Sequence, residues 1–266
     1  MQKFMRTASA VALVLALAAP AGAQSLAGSY LAGRSAAVNN DFKAAAEYYS
    51  AAMARDAGNV ELMDDAVLAY LALGRIDRAL PLGRAIIASG QRSQGARMVL
   101  TAGMIDDGEY AALAQREIQT EGISPWVDGL VKAWSLIGAD DVDGAMAQFD
   151  AISTEAGMTG VVSYHKALAL GTLGRYAEAN ALFEGDGPGA AARTRRGVIA
   201  RAEILSQLDR NADAVKLIAD TFNGATDPEL DSLIQRLDAG ETLPFTHAPT
   251  ARAGLGEVFY TFAALL

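Results

Sequence analysis

The sequence predicts an all-α solenoid of about six helix hairpins over residues 24–222, on three observations. A hairpin-sized pattern recurs, most clearly in Asn39 to Asp56, Leu73 to Ile86, Asp140 to Ile152 and Leu173 to Gly185. A position that is usually alanine marks its register at Ala45, Ala79, Leu113, Ala145, Ala179 and Ala214, with spacings of 34, 34, 32, 34 and 35 residues. Two helices of roughly three to four turns plus two short turns use up such a length. Between the helices of each pair stand Asn40, Gly74, Gly108, Asp140, Gly174 and Asp209, residue types that tolerate a left-handed or turn backbone.

Residues 1–23 precede the array and have the layout of a cleavable secretory signal. A basic start with Lys3 and Arg6 leads into an apolar run from about Ala8 to Ala19, and Ala21-Gly22-Ala23 forms an A-x-A-like cleavage site. The run falls short of the roughly 20 apolar residues that a spanning helix needs, so no integral membrane span is expected. The chain contains no cysteine, which excludes lipid attachment after the signal, a disulfide framework and thiolate metal sites. These features predict a periplasmic protein. Cleavage would take the formal charge from −9 to −11 over 243 residues. So acidic a surface repels phosphate backbones, which argues against nucleic acid and anionic lipid as partners.

Within the array, small or medium residues recur on the first helix of each hairpin at Gly33, Val67, Thr101, Ala133, Ala167 and Ala202. Phe42, Ile76, Tyr110, Val142 and Tyr176 lead each second helix, three positions before the alanine series. Small residues on both helices let the backbones approach, and each pair then leaves an apolar face that only a neighbour can cover. The third hairpin is weak, with Leu113 in the alanine position and Glu117 where an aromatic is expected. Ser124-Pro125 should start the next helix and Gly138 should stop it. Gly185 to Ala190 should form a turn, Thr226-Asp227-Pro228 should start a helix ending at Gly240, and Glu241 to Pro249 reads as a non-helical connector. Residues 223–266 are thus C-terminal helices with a connector. The final apolar stretch ends without a cap, which fits either a piece of a longer solenoid or a helix that docks on a partner or a second copy. The third hairpin and the connector should exchange amide hydrogens first.

These positions resemble the tetratricopeptide repeat (TPR) family, whose second helix carries Ala-x-x-x-Phe-x-x-Ala. Ala45-Tyr49-Ala52 matches that pattern in full, and Ala145-Phe149 and Ala179-Phe183 match its first two positions. The first-helix tryptophan is absent from its usual place, and Ala57 stands where the first repeat would carry proline. The resemblance implies a right-handed α-solenoid whose first helices line a concave groove. It would expose Tyr30, Arg34, Asp64, Leu68, Leu71, Met98, Leu130, Trp134, Ile137, Tyr164, Leu168 and Glu203. Such a face either holds a peptide, with Trp134 and Tyr164 as its anchors, or packs against a further C-terminal portion, or is core if the register is off by one.

No catalytic residue, metal ligand set or cofactor motif is identified. His165 and His247 lie far apart and in no ligand spacing; His165 is expected on a helix surface and His247 in a loop. Asp64-Asp65, Asp106-Asp107 and Asp140-Asp141 fall at helix starts or turns, where they cap or are solvated. The expected function is therefore a non-enzymatic periplasmic scaffold that recruits a protein or peptide partner, in envelope assembly or secretion as the TPR resemblance implies. Two alternatives stay open: a helical accessory region of a larger envelope enzyme, and a structural protein that self-associates through its C-terminal tail.

Overall fold

The computed structural model describes residues 25–155, 157–185, 189–222 and 227–263; the signal segment and the tail beyond Ala263 lie outside them. The described residues are helical with no strand. The chain divides into two compact units, Met1–Leu100 and Thr101–Leu266. In the N-terminal unit α1 (Leu26–Val38) pairs with α2 (Phe42–Met53), and α3 (Val60–Ala72) with α4 (Ile76–Ala88). Helix α5 (Gln94–Asp106) crosses the boundary between the units. The C-terminal unit continues with α6 (Tyr110–Ala114), α7 (Ile118–Glu121), α8 (Pro125–Gly138), α9 (Val142–Ser153), α10 (Thr159–Thr172) and α11 (Tyr176–Glu184). It ends with α12 (Arg195–Gln207), α13 (Asn211–Phe222), α14 (Pro228–Asp238) and α15 (Ala251–Ala263). No described helix is long and apolar enough to cross a membrane.

The alanine-type series and the small first-helix series are both buried throughout. Phe42, Ile76, Tyr110, Val142, Tyr176 and Asn211 are the first residues of the second helices. The six turn residues between paired helices all have positive φ, from 57° at Asp209 to 73° at Gly108. Asn and Asp bear that conformation because their short polar side chains tolerate it locally. The small-residue rule has a visible cause at Gly33, where a Cβ would stand 2.8 Å from the Tyr49 ring.

The weak third hairpin shows its weakness in the backbone. Its second helix stops after the five residues of α6, and the chain turns so that Arg116 points inward. There Arg116 Nη2 meets Asp128 Oδ1 at 2.6 Å, both side chains almost fully buried, and Nη1 donates to the Thr101 hydroxyl. Ser124 caps α8 and Pro125 opens it, as expected. Gly138 is the last residue of α8, as expected, and the left-handed turn falls two residues later at Asp140. The glycine is needed there because the Tyr110 ring lies 2.5 Å from where its Cβ would be. Asp227 caps α14 and Gly240 closes it with φ 77°. Of the expected turn at Gly185 to Ala190, residues 186–188 lie outside the described ones.

The Asp141 side chain accepts the Gly144 amide at 2.9 Å, capping α9. Asp141→Ala should therefore cost about 1 kcal/mol, checked by the urea midpoint and by faster hydrogen exchange in the first turn of α9. An unchanged midpoint would mean that solvent satisfies this helix end equally well.

Candidate functional site

The connector and α15 lie against the first helices of the C-terminal unit. Starting at α12, the Leu243 amide donates to Ser206 Oγ at 2.8 Å, and Gln207 Nε2 donates to the Leu243 carbonyl at 2.5 Å. Glu203 accepts the Thr246 and His247 amides at 2.8 and 3.1 Å and the Thr246 hydroxyl at 2.5 Å. On α10, Thr172 Oγ1 donates to the Ala248 carbonyl at 2.6 Å, and the Phe245 ring presses on Gly171. Helix α15 then packs on α10 and α8. Gly254 brings bare backbone onto Trp134, where a Cβ would stand 2.2 Å from the indole. Arg252 pairs with Asp106 beyond it. Hence the connector is anchored by its own backbone groups, and its expected early exchange does not fit this bonding.

The expected open groove is therefore closed in this unit. Leu130, Trp134, Ile137, Tyr164 and Leu168 are core residues, Trp134 being 0 % exposed, and Glu203 is buried among connector amides. An apolar face on consecutive first helices is covered by an apolar segment of the same chain, so water is excluded without a partner. Of the tail offered as a self-association surface, Leu255 and Val258 are buried, Phe259 and Phe262 half-buried and Tyr260 exposed, while residues 264–266 lie outside the described ones.

A polar cluster sits in this seam. The Tyr164 hydroxyl donates to Glu257 Oε1 at 2.9 Å. Its hydrogen is thereby committed, so the 3.1 Å contact with His247 Nε2 is donated by the histidine. Arg196 closes a salt bridge on Glu257 and stacks over the Tyr260 ring at 4.6 Å. Burial pushes the Glu257 carboxyl up, but hydrogen bonds from His247, Arg196 and Tyr164 outweigh it and hold its pKa at about 2. Burial and the neighbouring Glu257 charge push the Tyr164 hydroxyl well above its ordinary value. A carboxylate held so acidic is a poor proton acceptor at neutral pH, so these groups suit a fixed latch between α10, α12 and α15. A cavity of about 320 Å³ lies beside the latch, lined among others by Gly160, Val161, Ala191 and Tyr260.

His165 is the largest departure from the sequence reading. It is buried inside the unit rather than on a helix surface. Its Nδ1 accepts the Trp134 indole N–H at 3.2 Å, which leaves the proton of the neutral ring on Nε2, where no partner among the described residues meets it. Desolvation lowers its pKa to about 4. His247, expected in a loop, does lie in the connector but is buried against Tyr164. The contacts of Tyr164 with His247 and Glu257 span 83 and 93 residues, and no local signal in the sequence announces them.

In the N-terminal unit the position that follows the small residue of each first helix is open on α1 and α3. Trp134, Leu168 and Glu203 each follow the small residue of their first helix; the residues in that place on α1 and α3 are Arg34 and Leu68, both exposed, Leu68 at 50 %. Tyr30, Asp64, Leu71 and Met98 are half-buried. Tyr30, which occupies the place of Tyr164, donates its hydroxyl to Glu61 Oε1 at 3.2 Å and accepts from Arg34 Nη1 at 3.5 Å. Beside it is a notch of about 190 Å³ lined by Leu26, Ala27, Tyr30, Asn59, Glu61 and Leu62.

The class these features define is an all-helical protein of packed hairpins. No protein-family model matches the chain, and no curated protein matches it.

Proposed function

We propose that the protein is a non-enzymatic, exported helical-repeat scaffold of the TPR kind, acting in the periplasm, which docks a segment of a partner protein across its first helices. The observation that carries this is internal. The connector and α15 run along the first-helix faces of α12, α10 and α8, whereas the same register positions on α1 and α3 present Arg34 and Leu68 to solvent. A face built to the same pattern and left uncovered supports an intermolecular role, and the export layout of residues 1–23 and the absence of cysteine support the compartment. Partner recruitment in envelope assembly or secretion follows from the TPR resemblance.

A photo-crosslinking amino acid placed at Leu68, expressed in the native cells, should give a discrete higher-mass adduct. The same residue at Lys216, exposed on second helix α13, should give none. Equal labelling at both positions, or none at Leu68, would overturn the docking assignment.

A further inference from the structure

We propose that the α1–α3 face binds a basic helical segment of another protein, with a Lys or Arg side chain of that segment entering the notch between Tyr30 and Glu61. This rests on the docking function above and adds the chemistry of the partner.

The chain itself displays what such a face accepts. On the register-equivalent surface, a helix bearing Gly and Ala lies flat enough for its backbone to touch Trp134, and it delivers one charged side chain, Glu257, to the hydroxyl of Tyr164. There the delivered charge is negative because Arg196 waits beside it. At Tyr30 the polarity is reversed: the carboxylate already belongs to the face, as Glu61, so the complementary delivered charge is positive. The notch has the shape for it. Leu26 and Leu62 offer apolar walls for an aliphatic stem, and the Glu61 carboxylate stands at the polar end for an ammonium or guanidinium head.

The surrounding charge points the same way. Asp64 and Asp65 follow Glu61 on α3, and Asp64 accepts from the Ser93 hydroxyl. Burial, Glu61 and Asp64 push the Asp65 carboxyl up, against the pull of Arg34. Arg34, the cation that pulls on Asp65, is itself engaged with the Tyr30 hydroxyl and ring. Exposed Leu68, at the register position of Trp134, supplies apolar contact for the rest of the segment.

The test uses two fluorescein-labelled synthetic peptides and the full chain, followed by fluorescence anisotropy. One peptide copies residues 251–263; the other carries Glu257→Lys. The lysine peptide should bind saturably and about tenfold or more tighter than the unaltered one, and more weakly as salt rises. Glu61→Gln and Leu68→Asn, both at exposed positions, should each weaken it by about tenfold while leaving the melting temperature in place. If both peptides bind alike and Leu68→Asn still weakens them, the charge assignment fails and the docking function stands. If neither binds saturably, both fail. Tight binding of the lysine peptide that neither substitution changes would place the contact elsewhere and overturn the proposal.

Discussion

Trp134→Ala is expected to destabilise the protein by about 3–5 kcal/mol, the range for removing a large buried aromatic, and to free α15. The indole meets Phe149 edge-on at 6.3 Å and donates to His165 at 3.2 Å, while the Gly254 backbone lies on its face. Truncation removes all three contacts and leaves the His165 acceptor unpaired. Urea unfolding followed by circular dichroism should show the loss, and α15 amides should exchange faster before the rest of the unit opens. A change below about 1 kcal/mol, with α15 exchange unaltered, would mean that Trp134 faces solvent after all. Leu68→Ala, at the equivalent place in the other unit, should shift stability by no more than about 0.5 kcal/mol. The contrast separates a filled face from an open one.

The helix bounds were legible because they depend on local chemistry. Small residues at Gly33 and Ala133, aromatic partners at Tyr49 and Phe149, and turn residues at Asn40 and Asp140 act within one hairpin, so their spacing carries the information. The fate of the first-helix face was not legible. Trp134 and Leu68 hold the same register position, and nothing within their own hairpins tells which is covered. That is decided by Gly254, more than a hundred residues away in sequence, whose missing side chain admits α15 to the indole. Glu257, Arg196 and His247 were invisible for the same reason: each is an ordinary helix or connector residue until the chain folds back. Gly138 ends α8 as its sequence signal says, but what requires glycine there is the close approach of Tyr110, and the left-handed turn falls to Asp140.

Stability should fall by about 3 kcal/mol as pH drops from 6.5 to 4, through His165. The sign follows from its proton count. The unfolded histidine titrates near 6.5, whereas desolvation holds the folded one at about 4. Between those values the unfolded state binds more protons, so the stabilising contribution is complete above 6.5 and is lost as pH falls through the window. Protonation would also end the Trp134 bond, since Nδ1 can no longer accept. The charged groups near the ring do not cancel the effect: Glu257 favours the imidazolium and His247 opposes it, both more weakly than burial. Glu257 titrates in a lower window, contributing stability above 4.5 that is lost toward about 2. His165→Asn keeps an acceptor for the indole and removes the titration. It should start less stable at pH 7, because a smaller side chain leaves a cavity, yet lose far less stability on acidification to pH 4.5. Equal slopes for wild type and variant, measured as urea midpoints at half-unit pH intervals, would show that His165 does not carry the acid sensitivity.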